Sequence, residues 1–70
     1  MVVNRATAVT VNLPIATGSG RTITIKNINT GVVTVDGNNA DTIDGELTQT
    51  LSRYELINVI DYAANVWIVA

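Results

Sequence analysis

The chain predicts an all-β fold, a small antiparallel β-sandwich or jelly-roll-like domain. Three observations carry that prediction. β-branched residues alternate with polar ones at a period of two along most of the 70 residues, the spacing that sends side chains to opposite faces of a strand. Glycine, asparagine, aspartate and proline interrupt this pattern at the roughly eight-to-twelve-residue spacing of sandwiches and barrels. No heptad repeat, linker or low-complexity tract is present.

Taken in order, Ala8 to Leu13 forms the first strand, with Val9, Val11 and Leu13 inward and Thr10 and Asn12 outward. Pro14 cannot donate a ladder hydrogen bond and ends it, and Thr17-Gly18-Ser19-Gly20 follows as a loop. Arg21 to Lys26 is the clearest strand, with Ile23 and Ile25 inward. Val32 to Val35 is next, closed by the turn residues Asp36 to Asn39. Thr42 to Asp44 is short and broken by Gly45; Leu47 to Leu51 alternates with both leucines inward.

From Tyr54 to Tyr62 the chain is apolar on both faces, with Tyr54, Leu56, Ile60 and Tyr62 on one, Asn58 between them, and Ile57 and Val59 on the other. A strand of that kind is covered on both sides. A helix over Arg53 to Ala64 competes, because short apolar runs are ambiguous by period, but Ile, Val, Asn and Tyr favour the strand. Asp61 to Asn65 reads as a hairpin loop, and Val66 to Val69 as the last strand. The expected core is Val9, Val11, Leu13, Ile23, Ile25, Val33, Val35, Ile43, Leu47, Leu51 and Ile68.

Seventy residues make one domain, spanning 1–70. A chain this short buries only about 60% of its unfolded surface, so small domains add a disulfide, a metal or a partner. Cysteine and histidine are both absent, which excludes disulfides and zinc in its usual setting. Burial against another subunit or domain remains. Apolar residues make up 47% of the chain and charged residues 14%, well under the usual charged share of about 25%. The net charge is −2, and Arg5, Arg21, Lys26 and Arg53 form no basic stripe, so nucleic acid is not the expected partner. No secretory leader pattern is visible, and no run approaches the ~20 apolar residues of a membrane helix, so no membrane insertion is expected. The lack of cysteine fits a reducing site of synthesis.

Gly18-Ser19-Gly20-Arg21-Thr22 looks like part of a phosphate-binding loop. Ile15 stands where the first glycine belongs, Arg21 replaces the lysine, and a strand follows where the mechanism needs a helix N-terminus. A flexible loop is the expectation. Asp36, Asn38, Asp41, Asp44 and Glu46 carry oxygen ligands, but Ala40 fills a ligand position of the calcium-loop pattern and Asp41 its glycine position; no metal and no cofactor are expected. Paired carboxylates such as Asp41 with Asp44 need a cleft that separates their pKa values, and no histidine or cysteine is present to activate a nucleophile. The chain is therefore expected not to be an enzyme. Of the three aromatics, Trp67 between Val66 and Ile68 reads as core or subunit interface, while Tyr54 beside Ser52-Arg53 is the one expected at the surface. Tyr54, Asn38, Asn39 and Asp41 are the candidate saccharide-binding residues, and Leu56, Val59, Ile60 and Trp67 the candidate interface.

Leu13-Pro14, Ala16 through Asn27, Gly31 with Val33-Thr34-Val35, Thr42-Ile43-Asp44-Gly45, Leu51 with Tyr54-Glu55, and finally Asp61, Asn65 and Trp67 occur in that order. From Ala8 onward the string resembles the small β-domain near the tips of bacteriophage tail fibres and tailspikes. The resemblance implies a homotrimer on the virion, made in the bacterial cytoplasm and joined to the rest of a fibre. Its role there is trimer assembly, capping the shaft or contact with a host surface glycan, without catalytic residues. One departure is local: the family reads like Asp-Gly-Thr-Asn-Trp where this chain has Asp61-Tyr62-Ala63-Ala64-Asn65-Val66-Trp67, which leaves that hairpin's shape open. Met1 to Arg5 reads as an added start or the end of a shaft.

Overall fold

A computed structural model describes residues 1–70. It is all-β: β1 (Val2–Val3), β2 (Val9–Asn12), β3 (Thr22–Asn27), β4 (Val33–Asp36), β5 (Thr42–Ile43), β6 (Thr48–Leu51), β7 (Leu56–Ala63) and β8 (Val66–Val69). They form a five-stranded sheet in the order β1-β3-β7-β8-β5 and a three-stranded sheet in the order β2-β4-β6. Arg53 to Ala64 is not a helix; it contains β7, the longest strand.

The expectation of antiparallel sheets does not hold. β1 with β3, β2 with β4, and β5 with β8 are parallel, while β3 with β7, β4 with β6, and β7 with β8 are antiparallel. The chain path is the reason. From β1 to β7 each strand lies in the opposite sheet from its predecessor. Successive strands are thus packed across the core rather than paired. In the β1–β2–β3 and β2–β3–β4 runs, the middle strand serves as the crossover that parallel neighbours require. Only β7 and β8 form a hairpin.

The inward residues of both sheets make one core: Val3, Ile25, Ile43, Ile57, Val59 and Trp67 from the larger sheet, with Val33, Val35 and Leu51 from the smaller. Leu13 and Ala16 close it from the segment after β2, and Val9, Val11 and Ile23 pack against it. Two expected core residues lie elsewhere. Leu47 is 58% exposed, because β6 begins one residue later and the Leu47 carbonyl is taken by the Gly37 amide. Ile68 is only half-buried, because the ladder sets Trp67 inward opposite Asp61 and leaves Ile68 opposite Ile60 on the outer face.

Met1 to Arg5 is built into the sheet: Val2 and Val3 pair with Lys26 and Asn27, and Val3 is buried. Asp61 to Asn65 is not all loop. β7 continues to Ala63 through an irregularity between Asp61 and Ala63, and Asn65 turns the chain at φ +63°.

Asn27 ties the two sheets at one end. It is fully buried, and its Nδ2 donates to the carbonyls of Gly31 (2.9 Å) and Leu51 (3.0 Å), while Oδ1 accepts from the Asn29 amide (3.1 Å). Gly31 must be glycine there, since a Cβ would lie 2.2 Å from the Thr7 carbonyl oxygen.

Candidate functional site

Asp61 organises the other end. Period-two alternation along β7 puts it on the same side as Ile57 and Val59, so a carboxylate points into the interior and is fully buried. Burial of this kind demands compensating donors. They come from the loop after Ala16: the Thr17 amide at 2.8 Å, the Gly18 amide at 2.7 Å, the Ser19 hydroxyl at 2.9 Å and the Thr17 hydroxyl at 3.3 Å. Arg21 Nε adds an ion pair at 3.2 Å. The backbone joins in: Gly20 N donates to the Asp61 carbonyl and Asp61 N to the Arg21 carbonyl.

Burial pushes the Asp61 carboxyl up. The hydrogen bonds from Gly18, Ser19 and Thr17 outweigh it and lower its pKa from 3.8 to about 2. The Gly-Ser-Gly loop therefore does cradle an anion, and the anion is the chain's own. Gly18 makes this possible at φ +83°, with its Cα side packed against the Ala63 backbone.

Arg21 finishes the arrangement. Its Nη2 donates to the Ile15 carbonyl at 2.7 Å, and its guanidinium carbon lies 5.6 Å from the centre of the Trp67 ring. Trp67 is fully buried and its Nε1 has no hydrogen-bond partner. A reacting carboxylate must offer a lone pair to substrate, and Asp61 has both oxygens engaged from inside the fold. This is structural electrostatics. Sequence reasoning missed it by placing Asp61 in a loop; the signal was an aspartate at the third inward position after Ile57 and Val59.

The four saccharide candidates do not gather. Asp41 is buried, with Oδ2 accepting the Ala16 amide at 2.9 Å, so it is a fold residue and unavailable to a ligand. Asn38 is half-buried, its carbonyl taken by the Asp41 amide and its Oδ1 by Asn39 Nδ2. Both asparagines follow β4 beyond Asp36, whereas Tyr54 lies at the Val33 and Leu51 end. The length of β4, at about 3.3 Å per residue, separates them. Asp36, Asp41, Asp44 and Glu46 bring no three carboxylates together around a common point.

Tyr54 stands apart, as expected. It is 60% exposed and occupies the third position of the turn Ser52-Arg53-Tyr54-Glu55 at φ +67°. Glu55 N donates to the Ser52 carbonyl (3.1 Å), Ser52 N to Glu55 Oε1 (2.5 Å) and Tyr54 N to the Asn27 carbonyl (2.6 Å). The Arg53 guanidinium carbon lies 4.9 Å from the ring centre.

The four interface candidates divide between the two faces of the larger sheet. Val59 and Trp67 are fully buried within the single chain, which removes them from any surface; the ladder turns both toward the core. Leu56 is half exposed, and Ile60 is half-buried opposite Ile68 on the outer face. Tyr62 is exposed on the same side of β7. An open groove of about 460 Å³ lies between the edge strands β1 and β2, lined by Val3, Val9 and Val11, with Arg5 as its only charged side chain.

No family model, curated protein or solved structure matches the chain.

Proposed function

We propose that the chain is a non-enzymatic assembly domain of a bacteriophage tail fibre or tailspike, forming a trimer at the virion tip and serving host attachment. The observation that carries assembly is the outer face of β7. Leu56, Ile60 and Tyr62 stand there with Ile68 beside them and Asn58, which accepts from the Thr24 hydroxyl, between the first two, at the centre of the larger sheet rather than at its rim. Large apolar side chains in that place support burial against another chain. The phage setting rests on the sequence resemblance. The absence of a catalytic role is supported by both oxygens of Asp61 being engaged from within, by the burial of Asp41 and by a groove without a carboxylate.

Light scattering coupled to size exclusion tests the assembly. A mass of three chains that persists on dilution is expected; a stable monomer overturns the reading. A second reading is a receptor module for a host surface glycan. Tyr54 favours it, as an exposed aromatic ring held in a backbone conformation that suits glycine.

A further inference from the structure

We propose that the Ser52–Glu55 turn is a contact site for an acidic saccharide, with the Tyr54 ring as stacking platform and Arg53 and Lys26 supplying the positive charge. The inference rests on the receptor reading and adds the place and the ligand class.

The first observation is conformational. A turn with negative φ at its second position and positive φ at its third is one that glycine fills without strain. Here a bulky residue takes it, and three hydrogen bonds hold the backbone there regardless of the side chain. The ring returns little to the fold, being 60% exposed with Arg53 as its close partner. A residue that strains the backbone without filling the core is explained by what it touches outside. An aromatic face suits the apolar face of a sugar ring.

The second observation is the distribution of charge. Arg53 is in the turn, Lys26 pairs with Leu56 just beyond it, and the Arg5 carbonyl accepts the Gly31 amide at the same end. Against these three cations stands Glu55, whose Oε1 is occupied by Ser52 N. Toward the far end lie Asp36 and Glu46, with Asp41 buried, while Asp44 stands beside Val69 at mid-sheet. Arg21 and Asp61 neutralise each other. The chain is net negative at −2, yet the end carrying Tyr54 is positive. A saccharide bearing carboxylates is attracted there and repelled from the opposite end.

The test is a ¹⁵N chemical-shift titration of the assembled protein with hexagalacturonate and, separately, with neutral maltohexaose, alongside urea unfolding of Tyr54→Gly. Hexagalacturonate is expected to shift amides of residues 26–29 and 52–56, more strongly at low salt. Tyr54→Gly is expected to raise the unfolding midpoint while raising Kd at least tenfold, two changes that a merely structural tyrosine cannot produce together. Arg53→Gln weakens the acidic probe alone. A lowered unfolding midpoint in Tyr54→Gly, or an unchanged Kd, overturns the proposal. Binding mapped elsewhere overturns this site but keeps a glycan-binding domain; equal affinity for maltohexaose overturns the acidic class. No shift from either probe overturns the proposal without touching the assembly reading. Concentration-dependent shifts of residues 52–56 without saccharide give this end to a second copy's acidic end, and also overturn it.

Discussion

Replacing Asn27 with leucine tests whether a single buried amide holds the two sheets together. The two side chains share their branching and number of heavy atoms, so the change removes hydrogen bonds and opens no cavity, while the bulkier methyls add an overpacking cost. Asn27→Leu strips the Gly31 and Leu51 carbonyls of their side-chain donor and the Asn29 amide of its acceptor. Gly31 and Leu51 are buried, Asn29 half-buried. A buried polar group left without a partner costs about 1–3 kcal/mol; the Gly31 carbonyl is left so, while the Leu51 carbonyl keeps its place in the β4–β6 ladder opposite Val33, so the loss is about 1–3 kcal/mol. Stabilities run at roughly 0.05–0.15 kcal/mol per residue, which for 70 residues is about 3.5–10 kcal/mol. Asn27→Leu is therefore expected to cost at least about a tenth of the stability of the domain, and most of it where the domain is at the low end of that range. Asn27→Asp should be worse, because an oxygen then faces each of the two carbonyls. The assay is urea unfolding followed by fluorescence of the single, fully buried Trp67, at fixed protein concentration so that assembly does not shift the midpoint. A loss below about 1 kcal/mol for Asn27→Leu, with an unchanged slope, refutes the reasoning and makes the hydrogen bonds dispensable.

Acid unfolding should follow Asp61. Its carboxyl is lowered from 3.8 to about 2 in the fold, so its contribution is complete above pH 3.8 and disappears as pH falls through about 2. The urea midpoint should drop across that window, and Asp61→Asn should flatten the drop; an equally steep fall in the variant sinks the assignment. On the proposed assembly, Ile60→Asp puts a charge in the middle of the outer face and is expected to leave no folded trimer, because a few side chains buried there, at ~25 cal/mol per Å², would rival the stability of the domain itself. A folded monomer of Ile60→Asp, seen by light scattering and circular dichroism, refutes that coupling of assembly to folding. Gly31→Ala drives a methyl to 2.2 Å from the Thr7 carbonyl oxygen and should cost about 1–3 kcal/mol by displacing the 5–7 segment. Gly20→Ala meets no atom within 4 Å and carries only its φ of +80°, so it should cost roughly 1–2 kcal/mol; the two are compared by thermal unfolding.

Alternation in the sequence states which way a side chain points and is silent about which strand lies beside it. That is why Ile25, Val33, Val35, Ile43 and Leu51 were legible as core, while the parallel pairing of β2 with β4 was not. Val9, Thr10, Val11 and Asn12 carry the same pattern whether their neighbour runs up or down. Leu47 fails for a related reason: the period continues past the point where the strand ends. Asp61 was hidden by composition, since aspartate beside Tyr62 and Ala63 reads as loop when its partners, Thr17 to Arg21, stand 40 residues or more away in sequence. Tyr54 needed no partner to be read, because its neighbours Ser52 and Arg53 already place it at the surface.

The strand-by-strand change of sheet governs how such a chain reaches its fold. Apart from the β7–β8 hairpin, no ladder joins strands that follow one another, so almost every pairing must close a loop through the opposite layer first. Loop closure of that kind makes folding slow relative to hairpin-rich domains. It also sets an order of events. β3 has only the two-residue β1 as a neighbour until β7 arrives, and β7 begins at Leu56. A chain emerging from its N-terminus therefore carries the free edge of β3, with Ile23 and Ile25, unpaired until β7 is made. The hairpin that completes the larger sheet also presents the outer row of Leu56, Ile60, Tyr62 and Ile68. Closure of the core and completion of the outer row thus become one step, so that on the proposed assembly a half-made chain would lack the surface that joins it to another.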